Sequence, residues 1–206
     1  MKFFIVLIIS VLVLSGCATL TRSECLTADW YQIGYEDGSY GFPDTRIKAH
    51  RKACAQHGVT PDFEDFQKGH IEGVITFCTP KNGFIQGKRN SKYQSFCSQK
   101  LEASFLEAYN NGRQVYRANK DFQEAQAAQK ENKQAIKSLR QEIQAKKAIM
   151  FATDTSTEAR YALDAQVSPL QISLYLLEQQ TEQLMIDVEY TEAKLQDVEE
   201  TFSLLY

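Results

Sequence analysis

The segment "DWYQIGYEDGSYG", residues 29–41, decides the fold, because it places glycines four residues apart inside an aromatic, helix-like stretch. The same pattern returns in "FQKGHIEG" at 66–73 and in "FLEAYNNG" at 105–112. Each copy reads aromatic residue, two residues, small residue, aromatic residue or histidine, two residues, glycine. An interior glycine destabilises a helix by about 1 kcal/mol relative to alanine, so the repetition requires a compensating contact.

Small residues four apart leave a groove on one face of a helix, and a neighbouring backbone can approach closely there. We therefore predict that Gly34, Gly38, Gly69 and Gly73 pack in helix–helix contacts. The alternative is that the glycines end helices or form turns, and it stays open for Gly38 and Gly41. A phosphate-binding loop is disfavoured, because no predicted strand precedes the glycines and acids lie beside them.

The N-terminus predicts export and lipid anchoring. Lys2 precedes an apolar run of twelve residues at 3–14, which is too short for a bilayer span of about 20 residues. The following "LSGC" resembles the lipobox of bacterial lipoproteins, and that resemblance implies that Cys17 is acylated and becomes the mature N-terminus. Ordinary signal cleavage near Ala18 is the alternative. Residue 18 is not the aspartate that retains such proteins at the inner membrane, so the resemblance implies the outer membrane, facing the periplasm.

The cysteines other than Cys17 predict disulfide bonds. All four lie between residues 25 and 97, and an even number in an exported chain is typical of disulfides. Their gaps of 29, 24 and 19 residues do not fit the close pairs of a zinc site. Four cysteines allow three connectivities, and a helical hairpin of 28–40 with 44–57 would favour one of them. The predicted bonds are Cys25–Cys54 and Cys78–Cys97.

The second half of the chain predicts a helical hairpin. Ten of twelve heptad seam positions in the last forty or so residues are apolar, which indicates a coiled coil. Ser168 followed by Pro169 predicts that the final helix begins near 169, after a shorter helix at 156–167. The seam positions are Val167, Leu170, Leu174, Leu177, Thr181, Leu184, Val188, Thr191, Leu195, Val198, Phe202 and Leu205.

Charge selects the partner of this final helix. A predicted helix at about 98–150 carries a weaker apolar stripe, and residues 113–147 hold nine basic and four acidic residues. Residues 154–200 hold eleven acidic and two basic residues. The two helices should therefore pair antiparallel, as a rod of about 75 Å. The predicted organisation is a signal peptide at 1–16, a lipid-anchored linker at 17–24, a Cys-rich helical module at 25–118, and a hairpin at 98–206 that overlaps the module, giving a mainly α fold.

Several motifs of the first half resemble a family of proteobacterial lipoproteins known as a domain of unknown function, the 2799 group. The resemblance covers about residues 25–118 and implies a lipoprotein module without an assigned activity. The motifs are "DW", "GYEDG", Cys54, "HGVTPDFEDFQKGHIEG", "FCTPKNGFIQG", Tyr93, "FC" at 96–97 and "AYNNGRQVY".

Catalytic motifs are hard to find in this sequence. His50, His57 and His70 have no carboxylate at metal-ligand spacing, and "GFIQGK" at 83–88 has only three residues between its glycines, where a phosphate loop has four. The net charge of -3 gives no general attraction to nucleic acid, so we exclude that class of ligand. We predict a non-enzymatic protein with no catalytic residue, metal or cofactor.

The predicted partners are the membrane, through the lipid anchor, and an envelope protein that binds the helical rod. The alternative function is binding of a glycan or an anionic cell-wall or lipopolysaccharide surface by the loop at 78–97. That loop is basic and aromatic and could equally be a solvated loop that balances the acidic tail. Its candidate binding residues are Lys81, Phe84, Lys88, Arg89, Lys92 and Tyr93.

Overall fold

The computed structural model describes residues 19–206. The predicted signal peptide at 1–16 and the predicted acylation of Cys17 lie outside the described residues. Within 19–206 the regular structure is helical and contains no strand, which confirms the mainly α fold class. The helices are α1 Arg22–Leu26, α2 Trp30–Ser39, α3 Ile47–Ala55, α4 Phe63–Phe77, α5 Pro80–Lys88, α6 Gln99–Met150 and α7 Thr157–Ser203, with a short 3-10 helix at Asp44–Arg46.

The chain divides into two compact units, one ending at Asn110 and one covering Asn111–Tyr206. The first is called the module below and the second the hairpin. Both residues at the division lie within α6, so this helix contributes its first part to the module and the rest to the hairpin. Each unit is described by itself.

Local sequence signals start the helices of the module. The Asp29 side chain accepts a hydrogen bond from the Gln32 backbone N–H at the start of α2. At the start of α4, the Asp62 side chain accepts hydrogen bonds from the backbone N–H groups of Glu64 and Asp65. Thr79 caps α5, whose first residue is Pro80. Such caps each contribute about 1 kcal/mol to helix stability, which matters most for helices as short as these.

Two disulfide bonds join Cys25 to Cys54 and Cys78 to Cys97, with Cα–Cα distances of 5.4 and 5.8 Å. These are the pairs that the sequence favoured. The predicted hairpin of 28–40 with 44–57, which favoured the Cys25–Cys54 bond, is wrong. The helix α2 packs chiefly on α4 and not on α3. The reason is that α3 contains no glycine and offers no close-approach face, so Cys54 at its end meets Cys25 of the short helix α1.

The second disulfide lies within an aromatic core of the module. Phe105 is fully buried, and its ring centroid lies 4.9 Å from that of Tyr93 and 5.7 Å from that of Phe77. The Tyr109 hydroxyl donates a 2.7 Å hydrogen bond to the Ser91 carbonyl and fixes the loop after α5. The first turns of α6 therefore belong to the module by packing.

The hairpin pairs α6 with α7 in antiparallel directions, as the charge pattern predicted. As the residue numbers rise along α6, the numbers of the residues that they contact on α7 and just after it fall, so the two helices run antiparallel. The contacts are Asn111 with Tyr206, Asp121 with Lys194, Asn132 with Leu177, and Lys146 with Gln166. At 1.5 Å per residue, the 47 residues of α7 extend about 70 Å.

The predicted seam of α7 is the face that α6 covers. Of its twelve positions only Leu205 is exposed, while Val167 and Leu195 are buried and the remainder are half-buried. On α6 a matching heptad row is buried or half-buried from residue 115 to residue 150. Its members are Val115, Ala118, Phe122, Ala125, Gln129, Asn132, Ile136, Leu139, Ile143, Lys146 and Met150.

The predicted break at Pro169 is wrong, because α7 runs through this residue. Ser156, not Ser168, is the N-cap, and its hydroxyl accepts a 3.2 Å hydrogen bond from the Ala159 N–H. An interior proline loses one backbone hydrogen bond and is locally unfavourable. Seam residues on both sides of it, Val167 at 1% exposure and half-buried Leu170, pack and hold the helix continuous.

Candidate interaction surfaces

The repeated glycines form the contact between α2 and α4. Each of the four lies so close to a backbone carbonyl oxygen of the opposite helix that an added Cβ would overlap it. The pairs are Gly34 with Phe66, Gly38 with His70, Gly69 with Tyr31, and Gly73 with Tyr35. Two helices that approach through glycines gain close van der Waals packing and Cα–H···O contacts, which offset the low helix propensity of glycine.

The first two copies of the pattern form a pseudo-symmetric pair. Partner numbers rise together along α2 and α4, so the two helices run parallel, and each copy presents its glycines to the aromatic or histidine carbonyls of the other. The Tyr31 hydroxyl adds a 2.6 Å hydrogen bond to Glu72, which raises the pKa of Tyr31. Gly38 is helical and Gly41 has φ +79, so Gly41 alone of these two forms the turn.

The third copy packs on a glycine of α5 that the sequence analysis missed. "GFIQGK" lies within the helix α5, and Gly83 approaches the Phe105 carbonyl oxygen too closely for a Cβ. Gly87, one turn later, is also buried. The sequence does contain the four-residue spacing of Gly83 and Gly87, but this spacing resembles a phosphate loop as well as a helix contact. The module thus contains two glycine-built helix contacts.

A buried polar network ties the start of the described chain to the module. The His50 imidazole is 2% exposed, with Nε2 2.8 Å from an Asp37 carboxylate oxygen and Nδ1 3.0 Å from the Thr19 hydroxyl. Arg46 pairs with the other Asp37 oxygen at 3.0 Å and stacks its guanidinium 3.7 Å over the Phe42 ring. Both ring nitrogens are occupied and the ring is covered, so the network is suited to holding Thr19 and not to attacking a substrate.

The prediction that 78–97 is a loop is wrong in part, because α5 covers Pro80–Lys88. This segment, still called the basic loop, keeps its cations on the surface but loses one aromatic side chain from it. Lys81, Lys88, Arg89 and Lys92 are exposed, and Phe84 is half-buried with the Lys88 ammonium 5.8 Å from its ring centroid. The loop therefore remains a cationic surface, with Phe84 as its aromatic element.

Tyr93 of the same loop turns into the core. Its hydroxyl accepts a hydrogen bond from the Cys97 N–H and donates one to Glu102, at 3.1 and 3.0 Å. Burial, aided by the Glu102 carboxylate, raises the pKa of Tyr93 to about 12. The side chain therefore stabilises the loop from inside and does not belong to a binding patch.

An open groove of about 510 Å³ is lined by α4 and the loop before α6. His70 lies in its wall, but its Nε2 already forms a 2.8 Å hydrogen bond with the Phe42 carbonyl oxygen.

Among residues 19–206, no group of three metal-ligating side chains comes together. In that same range, no helix is both long enough and apolar enough to cross a bilayer.

The outward side of α7 carries a second apolar row that the sequence analysis did not single out. We call it the outer stripe, and its members are all more than half exposed. They are Tyr161 at 75%, Ile172 at 63%, Tyr175 at 60%, Leu176 at 56%, Ile186 at 52% and Tyr190 at 68%. At 100° per residue they fall within an arc of about 100°, centred opposite the seam. A helix that is apolar on two opposite faces is typical of a helix covered on both sides.

One comparison with known proteins agrees with the resemblance of the first half. A family model described as "Protein of unknown function (DUF2799)" matches residues 29–114. The comparison with curated proteins and the comparison with solved structures each gave no significant match. The matched residues contain all three copies of the glycine pattern and end soon after the third. The resemblance to this family is thereby supported for residues 29–114, and its description assigns no activity.

Proposed function

We propose that the protein is a lipoprotein of the outer membrane, facing the periplasm, with a non-enzymatic interaction role through its helical hairpin. The observation that carries the proposal is the outer stripe of α7. Exposed apolar rows of this size mark interaction surfaces in soluble proteins, because water penalises leaving them uncovered. The seam already satisfies one face of α7, so the stripe is available to a partner.

The anchoring part of the proposal is supported by the lipobox-like "LSGC" and by the position of Thr19. Two residues of extended chain span at most about 7 Å, so the Cα atom of an acylated Cys17 would lie within that distance of the Thr19 Cα atom. The last three residues of the predicted linker 17–24 are helical in α1. The network around His50 would then hold the module at the membrane surface, without a long tether.

Fractionation of a Cys17→Ala variant tests the anchor. The wild-type chain should be found in the outer-membrane fraction, and the variant should remain as unprocessed or soluble protein. A Cys25→Ala, Cys54→Ala double variant is the control, because it removes two cysteines and leaves the lipidation site. Unchanged outer-membrane fractionation of Cys17→Ala would contradict the lipoprotein assignment.

The basic loop remains the second candidate surface, because Lys81, Arg89 and Lys92 are exposed within twelve residues. Such a loop could bind an anionic glycan or the phosphates of lipopolysaccharide. Its aromatic content is reduced by the inward position of Tyr93, and this makes the outer stripe the better-supported surface.

A photo-crosslinking amino acid placed at Tyr175, in the outer stripe, or at Lys92, in the basic loop, separates the two candidates in intact cells. The proposal predicts a protein adduct from position 175. Position Tyr40 is the matched control, since it is an exposed tyrosine of the module at 73%. An adduct from 92 alone would favour the loop, and no adduct from 175 beyond that from 40 would contradict the hairpin as the interaction element.

A further inference from the structure

We propose that the occupant of the outer stripe is a second copy of the same chain, with the two α7 helices antiparallel and related by a two-fold axis near residue 174. This inference rests on the proposed function, in which the stripe is an interaction surface, and adds the identity and direction of the partner. It follows from the distribution of charge along α7 and from the spacing of the stripe.

The centre of the stripe is uncharged. Between Asp164 and Glu178 lie thirteen residues, "AQVSPLQISLYLL", without one Asp, Glu, Lys or Arg. A stretch of that length covers about 20 Å of helix, or almost four turns. Two copies can therefore approach over this segment without bringing charges together. An unrelated acidic or basic partner would find no complementary charge there.

The ends of the stripe select the antiparallel direction. Residues 178–200 hold eight acidic residues and a single base, Lys194. A parallel pair would place these acidic segments side by side, and like charges at such flanking positions are unfavourable. An antiparallel pair places residues 178–191 of one copy opposite 157–170 of the other, where only Glu158, Arg160 and Asp164 are charged.

The same register brings stripe residues into contact. With the two-fold axis near residue 174, two residues face each other across the interface when their numbers add up to about 348. Ile172 therefore meets Leu176 of the second copy. Tyr161 meets Ile186 of the second copy in the same way. Three exposed tyrosines would bury on the order of 400 Å² per copy, and the aliphatic residues bring the total toward the ~800 Å² of a standard interface.

Anchoring favours this association and constrains its geometry. Two copies held in one membrane meet at a high effective concentration, so even a modest interface becomes occupied. A two-fold axis that relates two copies in one membrane runs along the membrane normal. Both α7 helices would then run parallel to the membrane plane.

Cysteine cross-linking of the full-length protein in membranes tests the direction. Ala165→Cys and Gln183→Cys are placed on separately tagged chains, because these exposed positions lie within the arc of the stripe and face each other in the proposed register. The proposal predicts a mixed 165–183 disulfide between the tags, in clear excess over 165–165 and 183–183 dimers. Peptide mapping confirms that the native disulfides are intact.

The outcomes distinguish this inference from the proposed function. Predominant 165–165 and 183–183 dimers would show a parallel pair and overturn the antiparallel arrangement, while the stripe would remain an interaction surface. Absence of any intermolecular disulfide, together with a photo-adduct from position 175, would show that another protein occupies the stripe. That result would overturn the second copy as partner and leave the proposed function intact.

A second measurement uses the size of the purified full-length protein in detergent. Leu176→Glu should weaken dimerisation at least about tenfold, because the charge lies opposite Ile172 of the other copy. Ile75→Glu in α4 is the matched control, with 55% exposure against 56% for Leu176. A dimer that tolerates Leu176→Glu, or that is lost equally with Ile75→Glu, would overturn the proposal.

Discussion

In the module, α2 and α4 meet at glycines, so that backbone lies on backbone, whereas in the hairpin α6 and α7 meet through two rows of side chains. The glycine contact has no room for one additional carbon atom at any of its four positions. The seam of the hairpin consists mostly of half-buried side chains and includes polar ones. The difference indicates that the module is specified by shape at a few positions, and the hairpin by a pattern spread over many.

The two regions also fix their register in different ways. Two disulfides cross-link the module. The register of α2 against α4 is fixed where each glycine packs on a carbonyl oxygen of the other helix. In the hairpin, Asn132 is 6% exposed and donates a 3.1 Å hydrogen bond to the Leu177 carbonyl oxygen, while the Thr181 hydroxyl lies 3.2 Å from the Asn132 side-chain oxygen. A buried polar pair within an apolar seam sets the register of a coiled coil.

Charges placed in the seam should break the hairpin and spare the module. Leu184→Asp with Leu195→Asp removes two apolar seam contacts and adds two carboxylates, at an expected loss of about 2–5 kcal/mol for each site. Far-UV circular dichroism should report loss of most helical signal from α6 and α7. The single tryptophan, Trp30, lies in the module, so its fluorescence transition should stay unchanged.

The control for this experiment places the same charges on the outer stripe, as Ile172→Asp with Ile186→Asp. These residues do not belong to the seam, and the helical signal of a monomer should survive their replacement. Equal loss of helix in both double variants would mean that α7 is not organised by its seam with α6.

A large side chain in the glycine contact should destabilise the module by about 3 kcal/mol, at the upper end of the range for overpacking. Gly73→Leu forces a Cβ against the Tyr35 carbonyl, where neither backbone can move easily. The urea midpoint of the Trp30 fluorescence transition should fall, while the circular dichroism of the hairpin should change little.

The variant Gly58→Ala measures the effect of an unfavourable backbone conformation at a position where an added Cβ causes no steric overlap. Gly58 has φ +73, but an added Cβ would meet nothing within 4 Å, so its replacement should lose only the roughly 1 kcal/mol of an unfavourable left-handed conformation. If Gly73→Leu is no more destabilising than Gly58→Ala, the close contact of α2 and α4 is not what stabilises the module.

The smallest expected effect is a dependence of module stability on alkaline pH. The pKa of Tyr93 rises from its ordinary value of 10.0 to about 12 in the folded module, chiefly through burial. The neutral hydroxyl is thus favoured by folding, and its contribution is complete below pH 10 and is lost as the pH rises toward 12. Tyr93→Phe should flatten the Trp30 stability profile in that interval, and an unchanged slope would contradict the inward position of Tyr93.

The sequence predicted those features that depend on a regular pattern. The heptad seam, the opposite charges of α6 and α7, and the repeated glycines are each visible without coordinates, and they correctly gave the hairpin and the packing of Gly69 and Gly73. The limits of α7 were missed because tertiary packing on α6 outweighs the local preference of Pro169. The pair Gly83 and Gly87 was missed because one spacing fits both a loop and a helix.

The polar network and the outer stripe could not be predicted for a different reason. Asp37, His50 and Thr19 come together only when α2, α3 and the segment before α1 are packed, and no spacing in the sequence encodes their contact. The outer stripe is a weaker row beside a stronger one on the same helix. It becomes visible once the seam is known to face α6, since only then are the remaining apolar residues left uncovered.

Tyrosine footprinting of the membrane-anchored protein tests the central claim most directly, namely that the outer stripe is the working surface. A tyrosine-specific reagent is applied to intact outer-membrane vesicles and to dilute protein in detergent, and modification is read by peptide mass. We expect Tyr161, Tyr175 and Tyr190 to be protected in the membrane and reactive in dilute solution, while Tyr40, at 73% exposure, reacts equally in both. Stripe tyrosines that remain as reactive as Tyr40 in the membrane would contradict the account.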